Sequence, residues 1–276
     1  MNWRLIPFGT GAPAWNMAVD EAIFRSYLAG HTPPTLRFYN WSPPTLSVGH
    51  FQEITSEVDL PALAERGFGL VRRNTGGRAV LHHHELTYSV VAGVTDGLPP
   101  SLFSSYLYIS KALVNACRIF GVEAELHEGA TDRMKGTGAC FEAPSWYELT
   151  VNGRKLAGSA QLRQHGSFLQ HGSILIDFSA EDLGKILKLT NISIDAWIAK
   201  MKQRVTSFQN LGVSVTAQEL AGAIVESFQS LYDIRMIEGL LTDKELATVE
   251  KLITQKYGND NWNLVRGRSA QIVANH

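Results

Sequence analysis

Residues 136–158 read GTGACFEAPSWYELTVNGRKLAG and contain two residues of the types used in covalent acyl chemistry, Cys140 and Lys155. The lysine lies just past Asn152-Gly153, the dipeptide that best tolerates the positive φ values of a type I′ hairpin turn. The cysteine lies in a loop of Gly, Thr, Ala and Pro that enters the same hairpin, so the two side chains can meet. An ammonium beside a thiol favours the thiolate and lowers the cysteine pKa. A thiolate is the nucleophile that covalent acyl transfer requires. Taken locally, the stretch is equally compatible with a solvated hairpin lysine and an inert loop thiol.

The segment RRNTGGRAVLHHH is the second concentration of chemistry. Arg72 and Arg73 precede the pair Gly76-Gly77, Arg78 follows it, and His82, His83 and His84 stand in a row. Adjacent glycines let the backbone approach a ligand and aim amide donors at an anion or a polarised carbonyl. Three arginines around such a turn can hold a phosphate or carboxylate, or they can be the solvated flanks of an ordinary glycine hairpin. The histidine run does not have the pattern of a metal site, because neighbours along a strand point to opposite faces and no acidic or cysteine partner has ligand spacing. His171, in SFLQHGSIL, is a further candidate acid, base or structural donor. No GxxxxGK[ST] or GxGxxG phosphate loop and no GxSxG nucleophile elbow occurs.

Composition narrows the classes. With 276 residues, 45% apolar and 18% charged, the chain can bury a substantial core. Its 25 basic residues balance 26 acidic ones, so no bulk field attracts nucleic acid or an anionic membrane. The N-terminus MNWRLIPFGTG has no charged segment followed by an apolar run, and no apolar stretch reaches the roughly 20 residues of a bilayer span. These features place the expectation in the cytoplasm, where Cys117 and Cys140 are both expected as free thiols, and the absence of a CxxC pair argues against zinc.

The elements that must position these residues follow from periodicity. WRLIPFG reads as a strand. Trp15, Val19, Ile23 and Tyr27, four apart, mark one face of a helix that stops near Gly30. TLRFYNW and TLSVG read as strands joined by a turn at Ser42, Pro43 and Pro44, and VDLPALAERGFGL as a short helix ending near Gly67. LVRRNTGGRAVLHHHELTYSVVAG predicts a strand, a glycine turn and another strand. Residues 102–120 predict a helix with Cys117 in the core, YELTVNGRKLAGSAQ a hairpin, and SFLQHGSILIDF a further strand. Beyond it, Ser179 with Asp182, Thr216 with Glu219 and Thr242 with Glu245 resemble capping boxes at helix starts, and Leu220, Ile224, Phe228 and Leu231 trace one apolar face. The order predicts an α+β fold with mixed or antiparallel sheets flanked by helices. It is expected as a single domain over residues 1–276, with its core over about 31–240 and a helical C-terminal segment 241–276.

Three segments together carry a resemblance. RRNTGGRAVLH resembles the signature of the lipoate and biotin protein ligase superfamily, in which an arginine, a glycine pair and a histidine lie in this order. NGRKLAGSAQ resembles its lysine motif and QHGSILID the strand after that. The match runs from WNMAVDEA near residue 15 to Phe178, roughly two thirds of the chain. Within the superfamily, ACFEAPSWYEL looks like the cysteine loop of the Gram-positive octanoyltransferases of the LipM type, whose nucleophile precedes the lysine hairpin. The Gram-negative class, with its cysteine after the lysine, does not fit a chain that has none there.

The resemblance implies that Cys140 carries an octanoyl group taken from acyl carrier protein and that Lys155 lowers its pKa and steers the acyl carbonyl. The acceptor would be a lysine of a lipoyl-domain protein, with the H protein of glycine cleavage suggested. Arg72, Arg73 and Arg78 would meet an acidic carrier or its phosphopantetheine phosphate. Gly76, Gly77 and the Lys155 region would supply oxyanion donors, and His82, Gly158, Ser159 and His171 would line the acyl site, the histidines positioning rather than transferring protons. No cofactor, metal, nucleic acid or membrane is implied, and a monomer is expected. An ATP-dependent lipoate-protein ligase, an octanoyl amidotransferase between lipoyl domains, and a non-catalytic acyl-binding scaffold are the alternatives.

Overall fold

Runs rich in β-branched and aromatic residues extend because such side chains pack well on a pleated surface, and here they gather into two sheets. A computed structural model describes residues 1–128 and 147–265. The strands are β1 (Asn2–Gly11), β2 (Thr35–Trp41), β3 (Thr45–Val48), β4 (Gly69–Arg72), β5 (Val80–His82), β6 (Glu85–Gly93), β7 (Glu125–Glu128), β8 (Tyr147–Val151), β9 (Arg154–Gln164), β10 (Ser167–Leu175) and β11 (Arg235–Glu238). The helices are α1 (Pro13–Leu28), α2 (Ile54–Glu57), α3 (Leu60–Glu65), α4 (Leu102–Ile119), α5 (Ala180–Lys185), α6 (Ile194–Arg204), α7 (Ala217–Tyr232), α8 (Asp243–Leu252) and α9 (Asp260–Asn263), with a π turn at Ile253–Tyr257.

Among the described residues the large sheet runs β11-β1-β2-β6-β10-β9-β8-β7 and the small one β4-β3-β5. Strand β1 pairs in parallel with β2 and β11, and the rest of the large sheet is antiparallel. Both sheets are therefore mixed, because β3 is parallel to β4 and antiparallel to β5, and the α+β expectation holds.

Side chains alternate across a strand, which divides the large sheet into two environments. Leu36, Phe38, Tyr88, Val90, Phe168 and Ile174 face α4 and α7 in the main apolar core. On the opposite face, Tyr39, Trp41, Val91 and Leu169 pack with α1, and Val249, Leu252 and Tyr257 complete that layer. A third cluster joins the small sheet to α5 and α6 through Leu46, Val48, Leu81, Leu183, Trp197 and Met201. Among the described residues no helix is long and apolar enough to cross a membrane.

Several sequence expectations change in the folded chain. Helix α1 is buried from Asn16 through Phe24 on every side, whereas Trp15 is 37% exposed, because α8 covers the face turned away from the sheet. Pro43 and Pro44 do not join a hairpin; they carry the chain from β2 in the large sheet to β3 in the small one. The single strand expected after the glycine pair is two, β5 and β6, separated by a turn in which His84 adopts φ 57°. The last third is not wholly helical, since β11 extends the large sheet. Leu231 is 45% exposed, one turn beyond the buried stripe of α7.

Local signals at helix ends and turns are realised closely. Thr216–Glu219 and Thr242–Glu245 form reciprocal capping boxes, and Ser179 accepts the Asp182 amide. Asn152 and Gly153 take φ 51° and 73°, as their turn demands. Cys117 is buried, and burial pushes its thiol up to about 12.

Glu245 does more than cap α8. It also takes two hydrogen bonds from Arg4 of β1, at 2.6 and 2.8 Å, in a pair shielded from solvent. Burial works to raise its pKa, but the Arg4 and Thr242 hydrogen bonds leave the carboxyl below its ordinary value. Glu245→Ala removes the side-chain half of the capping box and strands a buried guanidinium, a change expected to cost about 3–5 kcal/mol. Urea unfolding should show it as a lower midpoint at unchanged slope; a midpoint equal to that of wild type would show that Arg4 finds another partner.

Candidate active site

Strand alternation places a band of polar residues on the α1 side of the large sheet. Arg37, Thr87, His171 and Ser173 interrupt the apolar Tyr39, Trp41, Val91 and Leu169. Where this band faces the small sheet there is a cavity with about 500 Å³ of empty space, part of it open to solvent. Met17, Tyr39, Trp41 and Val80 supply its apolar lining. Ser47, Arg73, Gly77, His82, Thr87, His171 and Ser173, with the Gly158–Ala160 stretch of β9 and Gly172, complete it.

Arg73 is buried and organises the glycine loop. Its Nη1 donates to the Ser47 carbonyl at 2.9 Å and to Ser47 Oγ at 2.7 Å, and Nη2 donates to the carbonyls of Gly76 and Arg78. The loop then passes so close to β3 that a Cβ on Gly49 would lie 1.9 Å from the Gly77 carbonyl oxygen, and Gly77 itself has φ 94°. Both positions therefore require glycine.

Arg72 is fully buried. Its guanidinium donates to the carbonyls of Gly49, His50, Gln52 and Trp262, and its amide to Asn263 Oδ1. The expectation that Arg72 and Arg73 meet an acidic carrier is corrected on this ground. Both guanidinium groups are shielded from solvent and engaged with main-chain carbonyls, which makes them braces of the loop. Arg78 is the half-buried member of the three.

An arginine can only donate, so Ser47 accepts from Arg73, and the same hydroxyl is hydrogen-bonded to His82 Nε2, 2.7 Å away. Nδ1 of the same imidazole faces Glu85 Oε1 at 3.3 Å, and that oxygen also accepts from the Thr87 hydroxyl at 2.7 Å. Trp41 donates to Thr87 and stacks on the His82 ring at a centroid distance of 4.3 Å. His82 is held on both nitrogens and on one ring face.

His171 is equally constrained. Nε2 lies 2.7 Å from Thr75 Oγ1 in the glycine loop, and Nδ1 lies 3.2 Å from Asp20 Oδ2. Asp20 also accepts from Arg37 at 2.6 Å and from the Tyr39 hydroxyl at 2.8 Å. Burial would raise the Asp20 pKa, yet Arg37 and the His171 and Tyr39 hydrogen bonds leave it below its ordinary value. Burial pushes His171 down, with Asp20 opposing incompletely, so the imidazole is neutral near pH 7.

Lys155 is 3% exposed and lies along Gly158. Its Cε would stand 2.9 Å from a Cβ there, so glycine at 158 makes room for it. Its ammonium is paired with Glu148 Oε1 at 2.6 Å across the hairpin. Lys155 thus sits beside the Gly158 edge of the cavity. Ser159 is among the lining residues, and its hydroxyl bonds that of Tyr88 at 2.7 Å. Cys140 lies outside the described residues. Among the described residues no group of three or more His, Cys, Asp or Glu side chains is arranged to hold a metal ion.

The structure adds Asp20, Ser47, Glu85, Thr87 and Glu148 to the candidate residues. Two had a signal in the sequence. Asp20 is half of a carboxylate pair inside the otherwise apolar run MAVDEAIF, and Glu148 is an acidic residue in the strand that precedes the Asn-Gly turn, two residues before the Thr150 that pairs with Lys155.

Residues 12–229 match the family described as lipoyl protein ligase A/B catalytic domain. A protein named octanoyltransferase LipM from Kyrpidia tusciae is 45% identical over 269 residues, which cover 95% of this chain and 98% of that one. Another of that name, from Moorella thermoacetica, is 44% identical over 94% of this chain and 97% of its own. Among solved structures, a bipartite lipoate protein ligase from Thermoplasma acidophilum superposes with a TM-score of 0.82 at 28% identity, covering 98% of this chain and 99% of that one. A lipoate-protein ligase A bound with ATP gives 0.80 at 28% identity, with 96% and 99% covered.

Two outcomes follow from the His171–Asp20–Arg37 chain. Asp20→Asn leaves Arg37 buried without a counter-charge and is expected to destabilise by about 3–5 kcal/mol, read as a lower urea midpoint. Because the native pKa of His171 is depressed, below pH about 6.5 the unfolded imidazole binds a proton that the native one does not. Stability conferred by the neutral imidazole is then present above that pH and lost on acidification toward the lower native value. Thermal midpoints at pH 7 and 5.5 test this: the fall on the acid side should shrink in His171→Gln, and an identical fall in both proteins would assign it to other groups.

Proposed function

Because this octanoyltransferase belongs to the lipoyl protein ligase A/B catalytic-domain family, we propose that it works through a covalent acyl-enzyme on Cys140. The Cys140 thiolate attacks the thioester of octanoyl-acyl carrier protein, and the carrier thiol departs. The ε-amine of a lysine on a lipoyl domain, with the glycine cleavage H protein as the favoured acceptor, then attacks the enzyme thioester. The chain passes to it as an amide. Exchange between thioesters is nearly isoenergetic and thioester to amide is downhill, so no nucleotide is consumed.

The observation that carries this reading is Lys155, a nearly buried ammonium held by Glu148 beside the Gly158 edge of the cavity. A cation fixed there favours a neighbouring thiolate over the thiol. The apolar lining around Met17, Tyr39, Trp41 and Val80 suits an alkyl chain whose seven or so carbons contribute roughly 0.8 kcal/mol each on burial. Backbone amides of the Gly76-Gly77 loop, shaped by Arg73, are candidate donors to the developing oxyanion. His82 and His171, each engaged on both nitrogens, serve as supports of the lining.

A second reading, an ATP-dependent ligase, is favoured by the 28% identity to lipoate-protein ligases. Intact mass spectrometry separates the two. Mixed with octanoyl-acyl carrier protein, the wild type should gain one octanoyl group and Cys140→Ser none. Product formed from octanoate, ATP and apo lipoyl domain without carrier would overturn the transferase reading. Lys155→Ala should raise the Cys140 pKa and slow alkylation by iodoacetamide near neutral pH; an unchanged rate-versus-pH profile would remove Lys155 from thiol activation.

A further inference from the structure

The polar side chains in the cavity wall are already engaged, with one exception among the described residues. Ser47, Thr87, His82 and His171 have the partners given above, and Tyr39 and Trp41 donate to Asp20 and Thr87. Ser173 is 3% exposed and lines the cavity, yet its hydroxyl has no hydrogen-bond partner among the described residues. Folded proteins seldom leave a buried hydroxyl unpaired, and a catalytic role is one of the recognised reasons for such an exception.

Its position says which group. Ser173 of β10 is directly opposite Gly158 of β9. Residues paired in this way on antiparallel strands project from the same face, with Cβ positions roughly 4.5–5.5 Å apart. The Cβ that Gly158 lacks would lie 3.2 Å from Lys155 Nζ. The Ser173 hydroxyl and the Lys155 ammonium therefore project from neighbouring places on one face of the sheet. On the other side of Ser173, Thr87 of β6 is its pairing partner, and that hydroxyl is committed to Glu85.

The geometry points to Ser173 as a further catalytic residue, whose O–H donates a hydrogen bond to the oxygen of the acyl carbonyl being transferred. The inference rests on the octanoyl-transfer reading. When the nucleophile attacks, its electron pair forms the bond to the carbonyl carbon and the C=O π pair moves onto oxygen. A hydroxyl fixed beside that oxygen binds the anion more strongly than the carbonyl, which lowers the barrier. Collapse returns the pair to the C=O bond and expels the leaving sulfur with its bonding electrons, and the sulfur takes up a proton from solvent. In the second transfer the attacking amine loses its proton to solvent. Ser173 keeps its proton throughout, acting as a neutral donor beside the Lys155 charge.

Ser173→Ala and Ser173→Thr, made in the full chain, test this with octanoyl-acyl carrier protein and apo lipoyl domain as substrates. Loss of one oxyanion donor is expected to lower kcat by about 100-fold in the alanine variant, with KM for the donor changed less than about threefold. The threonine variant, which keeps the hydroxyl, should recover most of the rate, and thermal stabilisation by octanoate should be alike in all three proteins. An alanine variant with kcat within about threefold of wild type overturns the inference and leaves a serine that bonds only ordered water. A raised KM at normal kcat overturns it also, by making Ser173 a ground-state contact. A wild-type protein that makes no octanoylated domain from the carrier thioester overturns the underlying reading instead, so the two failures are distinct.

Discussion

A carboxylate removed from water must be met by donors, and the site depends on how Asp20 meets that demand. Three groups converge on it: Arg37 and Tyr39 from β2 and His171 from β10. Asp20 itself lies on α1, so its charge ties a helix to two strands of the large sheet and, through His171 and Thr75, to the glycine loop. Removing Arg37 would leave the charge uncompensated, and removing Tyr39 or His171 would leave it short of a donor, in a region of low dielectric where such a defect is far more costly than at the surface. The electrostatic requirement of one buried residue thereby sets the mutual placement of four segments.

The small sheet is held by the same logic with opposite sign. Arg73 and Arg72 are buried cations whose partners are mainly main-chain carbonyls, an arrangement that converts guanidinium charge into loop geometry. One result is a polar frame around an apolar lining, with nearly every hydrogen-bonding group in the wall neutralised locally. Such a wall can accept an alkyl chain without leaving most of its own donors unmet, and it leaves the Ser173 hydroxyl near the Lys155–Glu148 pair at the β9–β10 edge. Electrostatic effects among groups shielded from solvent are larger than the same groups would produce in water.

Much of this frame was legible in the sequence where the cause is local. The Asn152-Gly153 turn, the Thr216 and Thr242 caps and the buried Cys117 follow from backbone preference and short-range periodicity. The glycine pair announced close backbone approach, although not that Gly49, more than twenty residues earlier, would be the surface approached. Long-range pairing was opaque. Nothing near Arg72 reveals that Trp262 and Asn263 receive it, and three arginines beside a glycine turn look the same whether they reach outward or fold inward. The helix face drawn through Trp15 and Tyr27 failed for a related reason: periodicity reports one partner surface, and α1 has two. Resemblance to a family, rather than local pattern, suggested the chemistry proposed for Cys140 and Lys155.

The bond from Asn263 to the Arg72 amide, and those joining Trp262 to the same residue, span about 190 positions of chain. Glu21 is likewise held by Lys256 and Tyr257. A chain emerging from the ribosome therefore exposes both sheets and the glycine loop well before the residues that brace them exist. Domains form from the N-terminal side as synthesis proceeds, and contacts of such separation close late. Until α9 has been made, Arg72 is a buried-type cation without its full set of acceptors, so the nascent loop is open to other partners. Completion of the glycine loop is in this sense an event in time: the last helix of the described chain is also the last of its braces to arrive.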